Sequence, residues 1–470
     1  MLRELPGLRA TGGPHMRSLA VTMIVRNESE FLPACLASIR PVTDEIIVAD
    51  TGSSDNTIHI ARQGGARVIQ IPWHDDFAEA RNLALAQARS DWVLSLDADE
   101  QLDHTAVASI PDILANTSAL GCQVTIRNYL MNAHERVWDI PPIANDGLLA
   151  STSRYPVYVP HENVRLFRRR PGIYFVGRVH ESVGPRIRAS RGAIAQAPFV
   201  IHHLGFVVSQ VTKDKKNRMY REMGRRKIEE LPGDWQAHFE LGLLELEHFK
   251  NLSEAHRLLA RACSLNPNMG VAWFFYGLAC FRLNLFDDAL QTLRKAENCG
   301  HKTAPVAQTR GDACYNLGRF DEARAAYEVA LKREPGNAAV QAKLGLAIVR
   351  SGSPQKGIAR LQACLASSPD TPELYEGLIL SYVFLDKIRE AAETAERKVH
   401  MISHLYAGDY LRAASLWAQL NDLPRALALL QEGLCAHPGN PDLLNAFKEV
   451  CQGPASGGLE NSHSAETIGR

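Results

Sequence analysis

An excess of charge of either sign is the first thing this chain lacks. Lys plus Arg and Asp plus Glu each number 52 in 470 residues, for a formal net charge of zero. Nothing global therefore argues for a nucleic-acid partner or an anionic membrane. No run of about 18 apolar residues occurs, so no transmembrane segment is expected. The first 18 residues hold Arg, Glu, Pro and Gly without an apolar core, and read as a flexible extension rather than a secretory signal. Cysteine is sparse: nine residues, scattered, odd in number and with no Cys-x-x-Cys. They read as small buried side chains in a reducing compartment, which makes the expected location cytoplasmic. A disulfide framework or zinc site does not fit that spacing.

What is present falls into two regimes, and the length suffices for two or three domains. Residues 19–212 alternate β-rich and helical stretches. Strands are expected at Leu19–Val25, Glu45–Asp50, Ala66–Ile71 and Trp92–Leu96, with helices at Glu30–Ile39, Asn56–Gln63 and Phe77–Ala88. Strands apolar on both faces that alternate with helices predict a Rossmann-like, mostly parallel α/β sheet. Ligands of such sheets bind off the carboxyl ends of the strands. Residues 213–233 read as a basic linker helix, and 449–470 as a disordered tail.

Between them, residues 234–448 repeat with a period near 34. Gly311, Cys314, Gly318, Ala323, Tyr327, Ala330 and Pro335 recur in phase as Gly345, Ile348, Gly352, Gly357, Leu361, Cys364 and Pro369. Gly277, Cys280, Asn284, Ala289, Leu293 and Ala296 form the preceding copy. Small residues recur where two helices of one hairpin cross closely, and Pro ends the second helix. The pattern resembles tetratricopeptide repeats, about six of them, which stack into a superhelix with a concave binding face.

Chemistry-bearing residues fall at the expected strand ends. The first strand runs into Val25-Arg26-Asn27-Glu28, and the second into Asp50-Thr51-Gly52-Ser53-Ser54-Asp55, a turn leading to a helix capped by Ser54 or Asp55. Asp50 can accept from a base N–H or a ribose hydroxyl, or simply start that turn. Ala80-Arg81-Asn82 begins the third helix, where Arg81 faces either a diphosphate or solvent. The fourth strand delivers Asp97-Ala98-Asp99-Glu100. On an extended backbone Asp97 and Asp99 share a face and converge on one ion, and hard oxygen ligands suit Mg²⁺ or Mn²⁺. Taken alone, Asp-x-Asp is a weak motif and reads as a polar strand end or a helix N-cap before Leu102; the clusters around it favour the ion.

In this order the clusters resemble the nucleotide-sugar-binding half of family-2 glycosyltransferases, which have the GT-A fold. The resemblance covers residues 19–103. It implies a nucleotide-sugar donor, most simply a UDP-sugar, with Glu28, Asp50, Ser53, Asp55, Arg81 and Asp97 on its binding surface. Within that set it gives Asp50 the base and Asp97 the ribose or phosphate side. Asp99 is implied to bind the metal that bridges the diphosphate. Further on, Gly177-Arg178-Val179-His180-Glu181 stands where many family-2 enzymes carry an acidic pair. It resembles the branch of repeat-bearing enzymes with Gly-x-Val-His-Glu. Glu181 is the candidate base, with His180 as an alternative base or an orienter; a polar strand end is the competing reading. His203-Leu204-Gly205-Phe206 resembles the same branch's His-Tyr-Gly-Tyr, which makes His203 a candidate metal ligand and a strand-end histidine its alternative.

The expected activity is an inverting, metal-dependent sugar transfer of hexosyltransferase type. The expected acceptor is a protein or a glycan, and the repeats recruit it, a protein partner or a second copy of the chain. The alternative is a tetratricopeptide scaffold carrying a degenerate sugar-nucleotide domain. A nucleotidyltransferase would need a Gly-rich basic loop after the first strand, which Arg26-Asn27-Glu28 does not supply.

Overall fold

The computed structural model describes residues 17–132, 136–137, 139–205, 210–402 and 405–452. Residues 1–16 of the expected extension, Phe206, and residues 453–470 of the expected tail lie outside these. The chain divides into two compact units, residues 1–233 and 234–470.

The first unit opens as the sequence predicts. Strand β1 (Leu19–Val25), helix α1 (Leu32–Ile39), β2 (Glu45–Asp50), α2 (Thr57–Gln63), β3 (Arg67–Gln70), α3 (Phe77–Gln87) and β4 (Trp92–Ser95) follow in turn. Helix α1 buries Leu32, Cys35, Leu36 and Ile39, the single stripe of a one-sided helix. Asp76 starts α3 by accepting from Glu79 N. Val21, Met23, Leu94 and Leu96 pack in a core on one face of the sheet, and Ala20, Ile47 and Val93 in another on the opposite face. That two-sided burial is what a parallel strand needs.

The remainder is β5 (Glu100–Leu102), α4 (His104–Asn116), β6 (Gly121–Leu130), β7 (Ile143–Ala144), β8 (Val157–Arg168), α5 (Gly184–Ala189), β9 (Ile194–His203) and α6 (Gln210–Glu230). The sheet runs β3-β2-β1-β4-β8-β6-β9-β5, with β7 added on β8. Pairing is parallel from β3 through β4, then antiparallel to β8 and on to β6, parallel to β9 and antiparallel to β5. The parallel expectation thus holds for the four strands that alternate with helices, and the sheet is mixed beyond them. In register, Val25 faces Asp50, Thr22 faces Ser95 and Glu100 faces His203. The carboxyl ends of β1, β2 and β4 therefore lie side by side, with the end of β9 drawn in by β5.

The second unit is helical hairpins throughout. Trp235–Glu247 pairs with Leu252–Leu265, Gly270–Arg282 with Phe286–Asn298, and Ala304–Asn316 with Phe320–Arg333. Ala338–Arg350 then pairs with Pro354–Ser367, Pro372–Phe384 with Ile388–Met401, and Ala407–Gln419 with Leu423–Ala436, before a last helix, Pro441–Gln452. The recurring glycines mark close crossings: a Cβ on Gly345 would lie 2.4 Å from Leu361 Cγ in the partner helix. Hairpins are also linked through polar contacts. Asp312 accepts from Tyr327 Oη at 2.7 Å and from Lys343 Nζ at 2.8 Å, and these three residues stand on three successive helices. No helix among the described residues is long and apolar enough to cross a membrane.

Candidate active site

The loops at the ends of β1 and β2 are built on each other. Asp50, buried at the last position of β2, accepts from the backbone N–H groups of Gly52 and Ser53 at 3.1 Å. Gly52 takes a φ of 109°, which favours glycine. Ser53 Oγ accepts from Asn27 N at 2.9 Å, and Asn27 Oδ1 accepts from Ser54 N at 2.8 Å. Asp55 accepts from Ser29 N and from both Thr57 N and Thr57 Oγ1. Against slight desolvation, those hydrogen bonds hold its carboxyl down at about 2. Asn56, the residue after the two predicted caps, occupies the N-cap position of α2 without a side-chain bond. Glu28 N donates to Thr57 Oγ1 at 2.7 Å. Burial, and then the Asp99 charge, push the Glu28 carboxyl up to about 7.

Around the Asp97–Glu100 segment the chain turns, with Glu100 N donating to Asp97 O at 3.1 Å. The extended backbone expected there is absent, and Asp97 and Asp99 do not converge on one ion. Asp97 turns to two arginines. Arg81 Nη2 donates to its Oδ1 at 2.6 Å and Arg165 Nη2 to its Oδ2 at 3.3 Å. Burial opposes ionisation, but Arg81 and then Arg165 hold the Asp97 carboxyl far below the usual carboxylate range. Arg165 also reaches Glu100 Oε1 at 2.8 Å. Glu100 is nevertheless raised to about 7, because burial outweighs that pairing.

Arg81 is the hub. It stands one turn into α3 and is buried, not solvated. Its Nη1 donates to Ser95 Oγ at 3.1 Å, its Nη2 to Asp97, and its Nε to Glu181 Oε1. Asn82 fixes the loop that carries Glu181, exchanging two hydrogen bonds with the Phe175 backbone at 2.8 and 2.9 Å. That loop is clasped at its base by reciprocal 3.1 Å bonds between Val176 and Ser182. His180 stands exposed on it with a φ of 55°.

Asp99 turns to β9. Its Oδ2 lies 3.3 Å from His203 Nε2, while His203 Nδ1 lies 2.7 Å from Asn128 Oδ1 on β6. Burial would lower His203, yet the Asp99 carboxylate raises it. Both ring nitrogens face acceptors, so the gap between Nε2 and Oδ2 suits a proton or a cation. A carboxylate oxygen plus an imidazole oriented by an amide is a donor set that fits Mg²⁺ or Mn²⁺ when a diphosphate completes the sphere. No group of three or more His, Cys, Asp or Glu among the described residues forms a metal cage by itself. Gly205 closes this corner: a Cβ there would fall 1.7 Å from Asp99 Oδ2. His202 points the other way, fully buried between Tyr129 Oη and Asp103.

The structure thus gathers Glu28, Arg81, Asp97, Asp99, Glu181 and His203, while Asp50, Ser53 and Asp55 are engaged in folding the adjoining loops. Sequence reasoning missed Arg165, Asn128 and His161, and gave Glu100 no role of its own. Arg165 had a signal, a lone charge inside the apolar run Val164 to Phe167, which burial must pair. His161, pushed down to about 4 by burial and then by Arg165, had none.

The model of glycosyl transferase family 2 matches residues 20–172. A tetratricopeptide repeat model matches 249–302, and a tetratricopeptide repeat-like one 280–347. A TPR repeat-containing protein of Synechococcus elongatus is 38% identical over 177 residues, 38% of this chain and 38% of that protein. An uncharacterized glycosyltransferase of Rickettsia prowazekii is 39% identical over 89 residues, 19% of this chain and 30% of its own length. A lipopolysaccharide core biosynthesis glycosyltransferase of Rhizobium meliloti is 27% identical over 206 residues, 42% of this chain and 68% of that one. The chain thus spans 38% and 30% of the first two relatives.

Proposed function

Residues 20–172 are a family-2 glycosyl transferase domain with tetratricopeptide repeats behind it, and on that premise we propose a metal-dependent, inverting sugar transfer. The donor is a nucleoside-diphosphate hexose, with UDP the expected nucleotide, and the acceptor is a protein or a glycan. The repeats recruit the acceptor or a protein partner, and the reaction is cytoplasmic.

The observation that carries this reading is Arg81. One buried guanidinium spans Asp97, on the donor side, and Glu181, on the loop that the resemblance assigns to the base. A single displacement needs a donor held at one end and a proton acceptor at the other, at fixed separation. Asp99 and His203 would hold Mg²⁺ or Mn²⁺, whose chemistry there is neutralisation of charge on the departing diphosphate. Glu28 and the Ser53–Asp55 loop border the nucleoside, and Asp50 holds that loop in shape. Glu181 takes the proton from the acceptor nucleophile as it attacks the anomeric carbon. Arg81 holds the Glu181 carboxylate aimed, and His180 beside it orients the acceptor.

The test is a nucleotide-sugar panel with cell extract as acceptor source, read by mass spectrometry. Asp99→Ala is expected to abolish transfer with the fold intact. Undiminished transfer in that variant with metal present would remove the metal role. Glu181→Gln is expected to lose turnover while UDP plus Mn²⁺ still raises its melting temperature. Unchanged turnover would move the base elsewhere, with His180 next in line.

A further inference from the structure

The basic helix α6 was expected to be a linker, yet it is docked on the catalytic unit. Arg226 Nη1 lies 2.9 Å from Asp75 Oδ2, just before α3. Glu230 pairs with Arg178, on the Glu181 loop, at 2.8 Å. The Tyr220 ring lies 6.2 Å from that of Phe77, the first residue of α3, and Arg81 follows one turn later. Met223 and Lys227 are buried and Tyr220 is half-buried, so residues 220, 223 and 227 trace the inward stripe of α6. Lys216 continues that line one turn before Tyr220, at an exposed position.

The cations already in the site are engaged. Arg81 is paired with Asp97 and Glu181, and Arg165 with Asp97 and Glu100. Arg165, 9% exposed, still leaves its Nε buried without a partner, a donor waiting in the acidic cluster. Lys216 is exposed and makes no ion pair with a described residue. We propose that Lys216, carried over the cleft by α6, binds the diphosphate of the sugar-nucleotide donor. A flexible ammonium on a docked helix can follow a charge that arrives and leaves. Tyr220 and, against burial, Asp99, Asp97 and Glu28 raise the Lys216 ammonium above its ordinary value, so the acidic cluster is within reach of its field.

This inference rests on the glycosyltransferase reading, and its test separates the two. Titrate the full chain calorimetrically with inorganic pyrophosphate and with UDP, each with Mn²⁺. Lys216→Gln is expected to weaken both about tenfold, the worth of one hydrogen bond to a charged group. Lys216→Arg should restore most of the loss. Lys215→Gln, its exposed neighbour, should change nothing. Equal binding by the wild type and Lys216→Gln overturns the role of Lys216 and leaves the enzymatic reading standing. Failure of the wild type to bind either probe overturns both.

Discussion

The absence of a side chain at Gly205 leaves Asp99 its place. A methyl group on Gly205 would overlap the Asp99 carboxylate at 1.7 Å, so Gly205→Ala must displace either that carboxylate or the end of β9. A shift of about 1 Å in a reacting constellation costs about a hundredfold in rate. The expected result is a loss of that order in sugar transfer with circular dichroism unchanged; a wild-type rate would mean that Asp99 is not where catalysis needs it. The acidic residues themselves were legible, since Asp97 and Asp99 follow a buried strand. Their separation into two directions was not. It depends on a turn at Ala98 and on counter-charges that arrive from Arg165 and His203, 68 and 104 residues away along the chain. Asn82 likewise declared itself only as part of a motif, and its work, clamping the Phe175 backbone, is invisible without the loop it clamps.

Among elements, legibility followed locality. Strands that alternate with helices could be marked to within two residues, because each βα pair repeats one pattern. The helical hairpins were equally plain, because neighbours in the repeat are neighbours in space. Strands β6, β8 and β9 pair across long stretches of chain, and no short-range period announces such pairing. The hairpins also supply a test of their own. Burial raises the Asp312 carboxyl above its ordinary value, opposed by Lys343 and Tyr327. In Lys343→Met the buried carboxylate loses its counter-charge, at a cost of about 3 kcal/mol at pH 7. Protonation of Asp312 relieves that cost. The raised folded-state value means the fold takes up the proton before the unfolded chain does, so the deficit should shrink as pH falls toward about 4. Thermal melts of wild type and variant at pH 7 and pH 4.5 check this. An equal deficit at both would make the lost contact one of packing alone.

For the whole molecule, the two units have separate cores, and between them Leu231, Pro232 and Gly233 are exposed. Exposed turns of small and rigid residues are where proteases first cut. Brief proteolysis is expected to cleave at 231–233. The cut protein should keep slow hydrolysis of a UDP-sugar while losing transfer to the acceptor in extract. Retention of both activities after separation of the halves would deny the repeats a part in acceptor recruitment.

The pairing of Asp99 with His203 bears on how the protein is born. One partner follows the fourth strand, and the other ends the ninth. A nascent polypeptide leaves the ribosome amino end first, so for the whole interval of about a hundred codons between them it carries an aspartate with no imidazole opposite. The pair therefore closes late in translation, once β9 has taken its place between β6 and β5.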